Sequence, residues 1–282
     1  MMKLFFGLCL WLLANNAFAF PIAPFDALKS NIEPPLYENA LSYDFEGIVK
    51  LSNCSGSIIK FQGQSLDDNA IVLTNGHCLG GRFLQPGEVA YKKPSRRRMR
   101  VADKNMRFHS ITAKELIYGT MTDTDAALYR LRETYNDLEK LGIQAFELSN
   151  QRPQVGTAIE VVSGYWERGY SCAIDDFVHI LKEASWTFTD SIRYTSPGCE
   201  IIGGTSGSPI IQSGTRIVIG VNNTANQSGR RCAMNNPCEV DKNNSVSVRR
   251  GAGYGQQTYL FYTCLNAQND IDLSLAGCKL PK

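Results

Sequence analysis

The chain has 282 residues, 29 Lys+Arg against 27 Asp+Glu, three His and nine Cys, with a hydrophobic fraction of 43% and a charged fraction of 20%. That composition excludes a wholly disordered chain, a collagen-like repeat and a coiled coil. A net charge of +2 offers no broad electrostatic reason for a nucleic-acid partner, and three His are too few for a His-rich metal array.

Met1 to Ala19 reads as a signal peptide. Lys3 supplies the positive start, Leu4 to Leu13 is a run of ten apolar residues, and Ala17-Phe18-Ala19 is a small-residue cleavage site. A membrane span needs about 20 apolar residues, so the run is too short to be an anchor. The expectation is an exported protein, secreted or periplasmic, with no membrane association once the signal is removed. Removal of Cys9 leaves Cys54, Cys78, Cys172, Cys199, Cys232, Cys238, Cys264 and Cys278. An even number of cysteines in an exported chain points to disulfides rather than free thiols.

Phe20 to Asp44 carries Pro21, Pro24, Pro34 and Pro35 and little periodicity. It reads as an N-terminal arm or propeptide, ahead of a domain spanning residues 45–282. There the pattern changes to short apolar runs: Ile48 to Leu51, Ser57 to Phe61, Ala70 to Thr74, Ala126 to Leu131, Ala158 to Ser163, Pro209 to Gln212 and Arg216 to Val221. Short β-branched runs with turn residues between them predict an all-β sandwich or barrel. Thr134 to Leu141 is the one helical candidate, with a solvated loop as the alternative. The basic run Lys92 to Arg100 reads as a solvated surface loop, and Gly251 to Gly255 as a flexible turn.

Three segments carry chemistry. In Leu73-Thr74-Asn75-Gly76-His77-Cys78, an apolar strand runs into a small-residue turn that projects an imidazole, a group suited to general-base work near neutral pH. A zinc reading with Cys54 and Cys78 lacks metal-type spacing and a second nearby His. In Asp123-Thr124-Asp125-Ala126-Ala127-Leu128, an acid adjoins an apolar strand. Asp125 is the candidate to orient the imidazole, and Asp123 is its competitor. In Gly203-Gly204-Thr205-Ser206-Gly207-Ser208-Pro209, a serine sits in a glycine turn ahead of a strand. Such a turn aims backbone N–H groups at one point, as an oxyanion hole requires. The order His, Asp, Ser differs from that of subtilisin and of the α/β-hydrolases.

With these segments in place the chain resembles the trypsin-like serine endopeptidases of the chymotrypsin fold. Cys54-Ser55-Gly56-Ser57-Ile58-Ile59 resembles the family's Cys-Gly-Gly-Ser-Leu-Ile, and Thr74-Asn75-Gly76-His77-Cys78 its Thr-Ala-Ala-His-Cys. Asp125 to Leu131 is similar to Asp-Ile-Ala-Leu-Leu-Lys-Leu, and Gly204 to Pro209 to Gly-Asp-Ser-Gly-Gly-Pro, in a Gly-x-Ser-Gly-Ser-Pro form closer to bacterial members. The resemblance covers roughly Phe45 to Ala225. It implies two six-stranded antiparallel β-barrels with the active site between them, and Cys232 to Lys282 then reads as strands, loops and a disulfide-tied tail completing the second barrel. It also implies Ser206 as nucleophile, His77 as base then acid, Asp125 as the orienting carboxylate, and the Gly204 and Ser206 amides as oxyanion hole. A Cys54–Cys78 disulfide follows from it; Cys172–Cys199 is the next pairing, and Cys232–Cys238 and Cys264–Cys278 follow by proximity alone.

Departures from the family pattern matter too. Thr205 stands where animal members carry the Asp that pairs with a freed N-terminus, so activation by N-terminal insertion is not expected. Counting back six from Ser206 reaches Glu200, a candidate base for a specificity pocket favouring Lys or Arg, or else a solvent-facing loop residue; Asn222 and Asn223 are the candidate pocket wall. The expected function is a secreted, monomeric serine endopeptidase acting on protein or peptide, with no metal or cofactor. The alternative is a catalytically inactive binding module of the same fold.

Overall fold

In the computed structural model, residues 43–282 are described; the signal-peptide reading and nearly all of the proline-rich arm lie outside them. The first half of the chain supplies β1 (Ile48–Lys50), β2 (Ser55–Lys60), β3 (Asn69–Thr74), β4 (Val89–Pro94), β5 (Arg98–Ala102), β6 (Phe108–Thr120) and β7 (Ala126–Thr134). Antiparallel pairing runs β1–β2–β3–β7–β6–β5 and returns from β5 to β1, which closes a six-stranded barrel. β4 lies along the second half of β6. The short helix α1 (Tyr135–Glu139) follows, with Thr134 and Asp137 forming a reciprocal capping box.

β8 (Phe146–Leu148) joins the two halves, running parallel to β2 and to β13 (Ile217–Ala225). The second barrel is built from β9 (Ala158–Ser163), β10 (Arg168–Glu183), β11 (Trp186–Tyr194), β12 (Pro209–Gln212), β13 and β16 (Gly253–Gln257). Its ring closes in the order β9–β10–β11–β16–β13–β12 and back to β9. β14 (Cys238–Val240) pairs with the far end of β10, and β15 (Val246–Ser247) pairs with β14. The fold is thus all-β, two closed six-stranded antiparallel barrels in one chain.

β3 shows how the sequence builds this. Asn-Ala-Ile-Val-Leu-Thr is continuously apolar at its centre because both faces are covered. The period of two sorts Ala70 and Val72 into one core cluster and Ile71 and Leu73 into another. The second cluster holds residues of the C-terminal segment, Phe261, Cys264, Ile271 and Leu280.

Three readings are corrected here. The basic run Lys92 to Arg100 is not a loop: it ends β4 and begins β5, with Met99 buried between exposed arginines. Gly251 to Gly255 is not simply a flexible turn, because Gly253 to Gly255 begin β16, a fully buried closing strand. There, bare glycines let β16 pass close to Tyr194, Ile201 and Ile210. And the chain after β16 does not complete the second barrel. It crosses back to the first, where Tyr91 donates to the Ile271 carbonyl at 2.8 Å, Tyr118 donates to the Pro281 carbonyl at 3.2 Å, and Arg130 pairs with Asp270.

Four disulfides brace the two halves: Cys54–Cys78, Cys172–Cys199, Cys232–Cys238 and Cys264–Cys278. No helix among the described residues is long and apolar enough to cross a membrane.

Candidate active site

A cleft is lined from the first barrel by His77, Phe83, Met121 and Asp125, and from the second by Glu183, Trp186, Ile201 to Gly203, Ser206 and Asn223 to Ala225. His77 sits in a 3-10 turn, Gly76–Leu79, directly after β3. Gly76 is required there by close approach: a Cβ would stand 1.9 Å from the Thr120 carbonyl oxygen. Asp125 ends the loop before β7 and is 1% exposed. Its Oδ2 meets His77 Nδ1 at 2.6 Å, and its Oδ1 accepts the His77 backbone N–H at 3.1 Å. Asn75 donates to the Asp125 carbonyl at 2.7 Å, so both ends of the loop are tied.

The two acids of that loop separate cleanly. Asp123 is exposed, and its contribution is backbone: its N–H donates to Thr187 and its carbonyl accepts from Thr189, stitching the loop to β11. Only Asp125 faces the imidazole. Burial pushes the His77 pKa down, but the charge and hydrogen bond of Asp125, with a contribution from Glu183, outweigh it and raise it above the ordinary value. The sulfurs nearest His77 belong to Cys54 and Cys78 and are bonded to each other, so they are not thiolates available to a metal.

Ser206 lies on the turn ahead of β12. Ile202-Gly203-Gly204-Thr205 is a β-turn closed by Thr205 N–H to the Ile202 carbonyl at 3.1 Å, with Gly204 at φ +93°. A positive φ at the third position marks a type II turn, which glycine adopts without strain. The type II and type I forms differ by a flip of the central peptide, here Gly203–Gly204. Trp166 Nε1 donates to the Gly203 carbonyl at 2.7 Å, and Ser55 Oγ donates to the Gly204 carbonyl at 3.2 Å. In a trans peptide the carbonyl and the following N–H point in opposite directions. The Gly204 N–H is therefore held facing away from Trp166. Neither it nor the Ser206 N–H has an acceptor among the described residues.

The Ser206 hydroxyl donates to the Asn223 carbonyl at 3.1 Å, not to His77. Asn223 lines the cleft. Asn222 does not: it is fully buried behind the Ser206 turn, donating to the Thr205 carbonyl at 2.9 Å and accepting from Tyr194 at 3.0 Å. The register of β13 slips between Asn222 and Thr224, and at this irregularity Asn222 is buried while Asn223 to Ala225 line the cleft. Glu200 is exposed on the loop after Cys199 and is not part of the cleft lining. The loop turns so that Ile201 and Ile202 face the cleft instead. Glu183 and Trp166 escaped sequence reasoning; each lies in or beside a hairpin with no motif to single it out.

The family model of the trypsin-like peptidase domain matches residues 54–221. The chain belongs to that family. No curated protein matches its sequence significantly. Among solved structures, it is similar to the MamO protease domain from Magnetospirillum magneticum in its apo form, at 13% identity and a TM-score of 0.48, covering 82% of this chain and 100% of that one. It is also similar to Nocardiopsis protease, at 14% identity and a TM-score of 0.43, covering 76% and 93%. A third is Thermobifida fusca protease A, at 17% identity and a TM-score of 0.41, covering 76% and 90%.

Proposed function

We propose that the protein is an exported serine endopeptidase that cleaves peptide bonds through Ser206, His77 and Asp125. The observation that carries this reading is the buried Asp125 carboxylate on Nδ1 of His77, in a cleft that Ser206 also lines. The pair fixes the imidazole tautomer and leaves Nε2 to act on a hydroxyl.

On this reading, a rotation of Ser206 about χ1 moves its hydroxyl from Asn223 toward His77. Ser206 Oγ attacks the substrate carbonyl while His77 takes its proton, and Asp125 stabilises the imidazolium. The developing oxyanion is received by the Gly204 and Ser206 N–H groups, where loss of one donor costs roughly 3–4 kcal/mol of transition-state stabilisation. His77 then protonates the leaving amine. Water, activated by the same imidazole, hydrolyses the acyl-enzyme. Export follows the signal-peptide reading of residues 1–19, and four disulfides agree with an oxidising compartment.

Fluorophosphonate labelling of the mature protein tests this, beside Ser206→Ala and His77→Ala. Labelling of the parent and its loss in both variants is the expected result. A folded, disulfide-bonded parent that takes no label would turn the reading to a binding module of the same fold.

A further inference from the structure

Glu183 is a buried acid with no basic partner. It ends β10 and stands directly opposite Trp186, across a two-residue turn, Ala184-Ser185, in which Ala184 has φ +49°. Directly opposed residues of an antiparallel pair share a face of the sheet. Both side chains therefore point into the cleft, together with Phe188 two residues on. Glu183 is 7% exposed. One carboxylate oxygen accepts the Asn235 N–H at 2.6 Å, and the Thr224 hydroxyl lies beside it.

The comparison with the other buried acids is informative. Glu239 is held by Arg193, Arg249 and the Tyr254 hydroxyl. Asp103 faces His109, and Asp125 faces His77. Glu183 takes part in none of the ion pairs among the described residues. Burial pushes its carboxyl pKa up, against the pull of Thr224, Asn235 and His77. A buried carboxylate lacking a cation is costly, and a cation brought to it is correspondingly favoured. The walls around it suit a long aliphatic stem with a charged tip: Phe83, Trp186 and Met234 are apolar and open to the cleft.

We propose that Glu183 anchors a cation-binding subsite, which selects peptide substrates carrying Lys or Arg at one position near the cleaved bond. This rests on the peptidase reading for its substrate class. It moves the acidic selectivity element from Glu200, which is exposed, to a residue of the β10–β11 hairpin. Asn235 belongs to the loop closed by Cys232–Cys238, so its amide fixes the carboxylate from the far wall.

The test separates binding from turnover. Matched peptide pools carrying Lys, Arg, norleucine or Glu at each position are titrated against the Ser206→Ala protein, and against the same protein with Glu183→Gln. At one position the basic peptides should bind ~10–100-fold tighter than norleucine, the range for a charge-assisted contact out of water. Glu183→Gln should bring that ratio close to one while norleucine binding holds. A ratio that survives the substitution, no basic preference at any position, or equal loss of all peptides would each overturn the proposal; the last would make Glu183 a brace for the Asn235 loop. Should Glu183→Gln fail to fold, Glu183→Asp is read instead, with the ratio expected to fall at least threefold and an unchanged ratio counting against the subsite. Fluorophosphonate labelling of the parent, run in parallel, reports on the peptidase reading alone.

Discussion

The two walls of the cleft are prepared differently. On the first-barrel side, the carboxylate–imidazole pair is already assembled: Asp125 is buried, bonds the His77 ring and backbone, and is itself held by Asn75. On the second-barrel side, the turn is held but the hydroxyl is not aimed: Ser206 Oγ is engaged by the Asn223 carbonyl. The carboxylate–imidazole contact gains from burial, where it is strong and has little freedom to lose. A serine hydroxyl turns about one bond, and its alternative partner is a neutral carbonyl, so redirecting it requires only an exchange of hydrogen bonds. On the proposed mechanism, the slow-to-organise part is built in and the cheap part is left to the substrate.

The largest effect expected is that of Ser206→Ala, which removes the nucleophile. Peptidase activity should fall by ~10⁶-fold, to the residue left by binding and the oxyanion hole. The melting temperature should fall by no more than about 2–4 °C, because the lost contact is one hydrogen bond to Asn223. Hydrolysis of a fluorogenic peptide and a thermal scan check both halves.

Asp125→Asn attacks the other wall. It keeps the shape but reverses the hydrogen-bond preference of the imidazole, and kcat should drop ~10⁴-fold. A pH profile sharpens the point. Since His77 is raised above its ordinary value by Asp125, the acid limb of kcat/KM in the parent should have its midpoint above 6.5. Activity needs the neutral ring, so it falls as pH falls through that midpoint. Stability runs the other way: a raised folded-state pKa contributes fully below the unfolded value and fades as pH rises through the folded one. The stability difference between parent and Asp125→Asn should therefore shrink from pH 5 to pH 9. A difference constant across that range would mean that His77 gains nothing from the pair.

How far the sequence alone reaches differs along the same lines. His77, Asp125 and Ser206 sit at strand ends, where apolar runs and small residues mark the turns, and each run appears as a strand in the structure. β6, β10 and β11 carry no apolar run that marks a strand, because polar and charged residues interrupt them: in β10, Val178, Leu181 and Glu183 are buried, Phe177 and Ile180 half-buried, and His179 and Lys182 exposed. Glu183 was hidden for that reason. It looks like one more polar residue near a hairpin turn until the register pairs it with Trp186. For Glu200 the sequence leaves two readings, a pocket base by counting back from Ser206 and a solvent-facing residue on the loop beside Cys199, and its exposed side chain agrees with the second.

The smallest expected effect concerns what holds the turn itself. Trp166→Phe keeps the ring packed on Tyr165, whose centroid lies 5.0 Å away, and removes only the N–H that holds the Gly203 carbonyl. Two glycines flank that peptide, so no Cβ at either position resists its flip. Losing a hydrogen bond of about 1 kcal/mol lets the Gly203–Gly204 peptide sample the other turn, with its carbonyl where the Gly204 N–H had been. A molecule in that state offers the oxyanion a repelling oxygen instead of a donor. The variant should thus lose roughly five- to tenfold in kcat with KM nearly unchanged, since ground-state binding does not use this amide. A peptide aldehyde, which forms the oxyanion on Ser206, should weaken by the same factor. Equal loss in kcat and in substrate affinity would instead place Trp166 in the binding surface, with the turn held by Thr205 and Ser55.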